Sequence, residues 1–125
     1  MKKLSMLFIG LVFSLVTMAQ RPVISFEKKS FDFAKIKEDD GKVTHVFDFT
    51  NTGKGPLVVS KVEASCGCTT PTWSKEPIEP GKKGSVTVTY NPAGRPGAFT
   101  KTITVYSNTF EEIERLTIQG EVLAK

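Results

Sequence analysis

Residues Val43 to Asn51 alternate strictly between two faces. Val43, His45, Phe47 and Phe49 fall on one side, and Thr44, Val46, Asp48 and Thr50 on the other. Successive side chains of an extended chain point to opposite sides, so this pattern specifies a strand with one buried face. The same period returns along the chain. Leu57 to Ala64 is rich in β-branched residues, and Gly84 to Tyr90 sets Val86, Val88 and Tyr90 against Ser85, Thr87 and Thr89. Phe99, Ile103 and Val105 mark a further inner face. Leu116, Ile118 and Val122 mark the last, with Gly120 in their register. Pro22 to Phe26 reads as a short opening strand and Phe31-Asp32-Phe33 as a short edge piece. Turn chemistry separates these runs, in Asp39-Asp40-Gly41, Asn51 to Pro56 and Asn91 to Gly97. Ser65 to Pro80 is the longest stretch read as irregular. Phe110 to Leu116 is the one segment with helical potential, but its β-branched continuation makes it a strand end. About seven short strands with turns every ~8–12 residues predict an all-β sandwich of two packed antiparallel sheets. Cys66 and Cys68 are too close in sequence to supply a disulfide between those sheets.

The first nineteen residues have a different grammar. Lys2 and Lys3 precede a short apolar run, Leu7 to Val16, and Thr17-Met18-Ala19 ends on a small residue. Charged, apolar and small segments in that order read as a secretory signal peptide. The apolar run is shorter than the ~20 residues of a spanning helix. Cleavage after Ala19 gives one domain from Gln20 to Lys125, with no membrane anchor left and a periplasmic or extracellular destination. It leaves 15 basic against 13 acidic residues, a net of +2 where the whole chain has +4. So small a charge makes no case for nucleic acid. A domain of this size can bury enough surface to fold without disulfides.

Export would place Cys66-Gly67-Cys68 in an oxidising compartment. Three readings are open. The thiols can close a small bridge, which needs a tight turn that Gly67 permits and would be easily reduced. They can bind copper(I), a metal suited to thiolates. They can pack as small apolar groups. Thr69, Thr70, Pro71 and Trp73 continue the segment as a candidate binding loop, with Trp73 either a ligand platform or a cap on the sandwich. His45, on an apolar strand face without a catalytic partner nearby, reads as a hydrogen-bonded structural histidine. Asp39-Asp40 reads as a solvated turn, and the cluster Glu111, Glu112 and Glu114 as a wet face. No nucleophile elbow, phosphate loop, zinc-protease or dinucleotide fingerprint occurs. The chain is therefore read as a non-enzyme without a cofactor.

Three blocks in fixed order carry a resemblance. They are Asn51-Thr52-Gly53, Cys66 to Pro71 (Cys-Gly-Cys-Thr-Thr-Pro) and Pro80 to Gly84 (Pro-Gly-Lys-Lys-Gly), preceded by Phe31-Asp32-Phe33 and followed by a strand ending at Gly120. Together they resemble the bacterial exported domain-of-unknown-function family DUF 1573, and more distantly Hydin-type and major-sperm-protein domains. The resemblance implies a seven-stranded immunoglobulin-like sandwich and no particular activity. Two functions compete. The first is a non-catalytic module of the cell envelope, structural or binding an envelope or extracellular protein or peptide through a sheet edge or the Trp73 loop. The second is a thiol-redox or copper(I)-handling protein acting through Cys66 and Cys68.

Overall fold

The computed structural model describes residues 20–125, so the signal-peptide reading lies outside the described residues. Eight strands follow one another: β1 (Ile24–Phe26), β2 (Ser30–Lys37), β3 (Val43–Asn51), β4 (Val59–Ala64), β5 (Thr69–Trp73), β6 (Lys83–Tyr90), β7 (Gly97–Ser107) and β8 (Ile113–Leu123). They form two four-stranded sheets, ordered β1-β3-β6-β5 and β2-β8-β7-β4. The expected sandwich is therefore present, with eight strands where the sequence predicted seven. The extra strand is β5, inside the stretch read as irregular. It carries Pro71, and a proline is tolerated on an edge strand where its missing N–H faces away from the neighbour. The second sheet is mixed: β2 runs parallel to β8, although only antiparallel pairing was expected. β2 is also longer than the short piece expected around Phe31.

The two sheets meet over the alternating faces. Phe47, Phe49, Leu57, Val59, Val86, Val88, Ile103, Val105, Leu116 and Ile118 are all buried, as the alternation predicted. Burying a side chain of this size contributes ~1.5–3 kcal/mol against leaving it exposed, so these positions supply the main driving force. Tyr90 stacks on Phe99 across the core, their ring centres 4.1 Å apart. Gly84 is a packing requirement: a Cβ there would meet the Phe49 ring at 2.5 Å. Phe110 to Glu112 form a turn and β8 begins at Ile113, which bears out the strand-end reading of that segment.

One polar side chain lies at the centre of the opposite packing problem. Asn51 is fully buried at the end of β3. Its Nδ2 donates to the Gly55 and Ile78 carbonyls, each at 2.8 Å. Its Oδ1 accepts from the Gly53 N–H at 2.9 Å and the Val23 N–H at 3.3 Å. One amide thus satisfies four main-chain groups from three segments: the opening strand, the β3–β4 turn and the loop before β6. Gly53 lets these segments approach, since a Cβ there would stand 2.3 Å from the Arg21 carbonyl oxygen. The Asn-Thr-Gly block was read as a permissive turn; in the folded chain it is the clamp that closes this end of the sandwich.

Candidate functional site

The chain changes sheets between β4 and β5, and Cys66-Gly67-Cys68 lies in that crossover. Cys66 and Cys68 are joined by a disulfide, their Cα atoms 5.4 Å apart. Main-chain bonds fix the same turn independently. The Ser65 N–H donates to Thr102 at 2.9 Å, the Thr69 N–H to Cys66 at 3.2 Å and the Asn91 N–H to Cys68 at 2.9 Å. Cys68 is buried at 6% exposure, and its Sγ lies 3.6 Å from the Thr69 hydroxyl. Cys66 is half-buried, and its Sγ accepts the Cys68 N–H at 3.2 Å. Among the described residues no cluster of three or more His, Cys, Asp or Glu is placed to hold a metal ion.

The candidate loop Thr69, Thr70, Pro71 and Trp73 is the edge strand β5. Thr69 is buried and Thr70 exposed, while Pro71 and Trp73 are half-buried on the inner face. Trp73 packs against the core. Its indole Nε1 is enclosed without a hydrogen-bond partner among the described residues, and Lys75 places its ammonium 4.4 Å from the ring centre. Ser74 donates its N–H to Ser85 across the ladder at 3.1 Å, and the Asn91–Cys68 bond has the same parity. Antiparallel bonding alternates, so the main-chain groups of Thr70 and Thr72 face β6 and those of Thr69, Pro71 and Trp73 face outward. Pro71 thus removes a donor from the outer edge, a feature that blocks addition of another strand.

The other edges are guarded too. β1 has only three residues. β2 is interrupted between Asp32 and Lys35, where Ala34 takes a φ of 62° and its N–H is held by Asp32 Oδ1 at 2.7 Å. β4 is irregular between Val59 and Lys61 and carries the surface pair Lys61–Glu63. Bulges, charges and short strands all discourage edge pairing.

The upper part of β3 is different. β1 pairs with Phe49 to Asn51 only, and after Glu27 donates its N–H to Asp48 at 3.0 Å the chain leaves for the other sheet. On its far side β3 bonds β6 through its odd-numbered residues, as the Asn51 N–H to Lys82 shows. The main-chain groups of Thr44 and Val46 therefore face outward, and they have no partner among the described residues. Val46 is 44% exposed. A shallow cleft of about 170 Å³ adjoins this edge, lined by Glu27, Lys28, His45, Val46, Phe47 and Asp48.

His45 sits at the inner rim of that cleft. It makes no side-chain hydrogen bond among the described residues, contrary to the sequence reading. Instead it stacks on Phe31, ring centres 3.8 Å apart, and meets Phe47 edge-on at 4.6 Å. Burial pushes its imidazole below the ordinary histidine range; Asp48 opposes this and Lys28 adds to it. Burial thus favours the neutral ring. Alternation could place His45 on the inner face. It could not show that β1 stops short and leaves the edge beside it uncovered.

Two sheets with this strand order and a mixed edge make an immunoglobulin-like β-sandwich. The model of the family described as protein of unknown function, DUF1573, matches residues 24–122, and the chain belongs to that family. Solved structures share the fold at low identity. A protein of unknown function from Porphyromonas gingivalis W83 superposes with a TM-score of 0.73 at 20% identity, covering 86% of this chain. This chain spans 50% of that one. The ASH/PapD-like domain 7 of human CEP192 gives 0.68 at 11% identity, covering 94% of this chain and 97% of that domain. The secreted serine protease VesC from Vibrio cholerae gives 0.59 at 14%, covering 79% of this chain and 23% of the protease. No curated protein matches in sequence.

Proposed function

We propose that the protein is an exported, non-catalytic binding module that takes an extended segment of a partner polypeptide as an added strand along Val43–Phe47. The observation that carries this reading is the unpaired main chain of Thr44 and Val46 on an edge free of proline, bulge and lysine, in a molecule whose other edges are guarded. Strand addition draws affinity from main-chain hydrogen bonds and selectivity from alternate side chains. The inward side chains of the added strand would lie near the His45–Phe31 stack, which favours apolar residues there. Its outward residues would flank Thr44 and Val46. A site of this kind needs no catalytic group, which agrees with a chain that has no recognisable catalytic motif. The partner is accordingly an envelope or extracellular protein or peptide.

The test uses acetylated peptides alternating apolar β-branched and polar residues. On binding, amide exchange at Thr44 and Val46 should slow by tenfold or more while the rest of β3 is unchanged. Val46→Pro removes an outward donor without touching the β6 ladder, and should abolish binding; Val46→Thr should retain it. Binding that leaves both amides unprotected, or survives in Val46→Pro, would sink this reading.

Export rests on the order of charged, apolar and small residues in 1–19. Mass spectrometry of the purified exported protein should find Gln20 at its N-terminus. An intact Met1 would count against it.

A further inference from the structure

We infer that Cys66–Cys68 is a thiol–disulfide exchange site whose substrate is a dithiol, with Cys66 the sulfur that meets it. The strand-addition reading neither uses nor requires this pair. Three observations support the assignment. First, the bridge has almost no structural task. It joins residues two apart, so the loop entropy it removes from the unfolded chain is far below the ~3 kcal/mol of a fifteen-residue loop. The turn that holds the two cysteines is already closed by three main-chain hydrogen bonds involving Ser65, Thr69 and Asn91. The oxidised and reduced forms can therefore share one backbone.

Second, the two sulfurs are unequal in access. Cys68 is buried at 6% exposure, while Cys66 is half-buried at the crossover between the sheets. Exchange needs a thiolate to reach a sulfur along the S–S axis, so access selects Cys66. Third, each sulfur has a donor suited to the reduced state. The Cys68 N–H points at Cys66 Sγ from 3.2 Å, and the Thr69 hydroxyl lies 3.6 Å from Cys68 Sγ. Hydrogen bonds to a thiolate favour the charged form and lower its pKa.

The chemistry balances as a two-electron exchange. A substrate thiolate attacks Cys66 Sγ, forming a mixed disulfide and breaking the Cys66–Cys68 bond. The electron pair leaves on Cys68, beside the Thr69 hydroxyl. The second substrate thiolate then attacks the substrate sulfur of the mixed disulfide, releasing Cys66 as a thiolate beside the Cys68 N–H. The substrate dithiol ends as a disulfide, and its two protons pass through solvent to the two cysteines. The reverse sequence returns the bridge and reduces a substrate disulfide.

The purified protein tests this with glutathione disulfide and dithiothreitol as probes. Cys68→Ser should form a mixed disulfide with glutathione at Cys66 at least tenfold faster than Cys66→Ser does at Cys68. Oxidised wild-type protein should be reduced by dithiothreitol with the amide spectrum of β3, β6, β7 and β8 unchanged. The double variant Cys66→Ser/Cys68→Ser should stay folded, with a melting temperature only a few degrees lower, and lose the reaction. Equal rates at the two cysteines would overturn the assignment. So would unfolding on reduction or in the double variant, since the bridge would then be structural.

Discussion

Replacing Asn51 with leucine is expected to lower the unfolding free energy by about 4 kcal/mol, since each buried main-chain group left unpaired costs ~1–3 kcal/mol. The substitution keeps side-chain size and removes every polar contact. The Gly55 carbonyl loses its donor, the Ile78 carbonyl keeps only the Leu57 N–H, and the Gly53 and Val23 N–H groups lose their acceptor. Some of these groups recover water as the end of the sandwich opens, so the sum falls short of three full penalties. Against a typical domain stability of ~5–15 kcal/mol, the loss takes a large share of the total. Asn51→Asp should be at least as damaging above the carboxyl pKa, because an anionic oxygen would then face two carbonyl oxygens. Urea unfolding of both variants measures this. A loss below about 1 kcal/mol for leucine would show that the clamp is solvated and dispensable.

Phe47→Ala is expected to cost ~3–5 kcal/mol, the range for deleting a buried phenylalanine ring. Phe47 is 1% exposed, and its ring edge contacts the His45 imidazole. The cavity left would border Val86, its partner on β6, and the His45–Phe31 stack would lose one wall. The β6 ladder on one side and the Glu27–Asp48 bond next to Phe47 on the other limit collapse into that space. Equilibrium unfolding with unchanged denaturant dependence would confirm the loss as one of native packing. A cost under about 1 kcal/mol would mean that neighbouring side chains refill the site.

Period-two alternation made the inner face of nearly every strand legible, because strand geometry and burial act on the same residues. It failed at β5, where Thr-Thr-Pro-Thr-Trp carries a proline that a central strand would reject. Which edge a strand occupies is a property of the sheet order, and no local pattern encodes it. The parallel pairing of β2 with β8 was invisible for a related reason. It follows from the crossing of the chain at Glu27 to Lys29 into the second sheet, which brings residues some ninety positions apart side by side. Asn51 shows the same limit. Its residue type suits a turn, and only the convergence of Val23, Gly55 and Ile78 turns it into a buried clamp.

The candidate sites divide along the same line. Cys66, Gly67 and Cys68 were conspicuous from their spacing alone, since two thiols that close must interact or pack together. Their unequal exposure and the hydrogen bonds that hold the turn arise from where β4 ends and β5 begins. The edge of β3 left no mark in the sequence at all: Thr44 and Val46 are ordinary outward residues of an alternating strand. Their main chain is free because β1 pairs with three residues of a nine-residue neighbour and then departs. The strands' buried faces, the turns and the sulfur pair were legible in the residue order, because those depend on side-chain type at short range. Sheet order, the mixed edge, the Asn51 clamp and the uncovered edge arise only on folding, because hydrogen-bond partners across a sheet are set by strands distant in the chain.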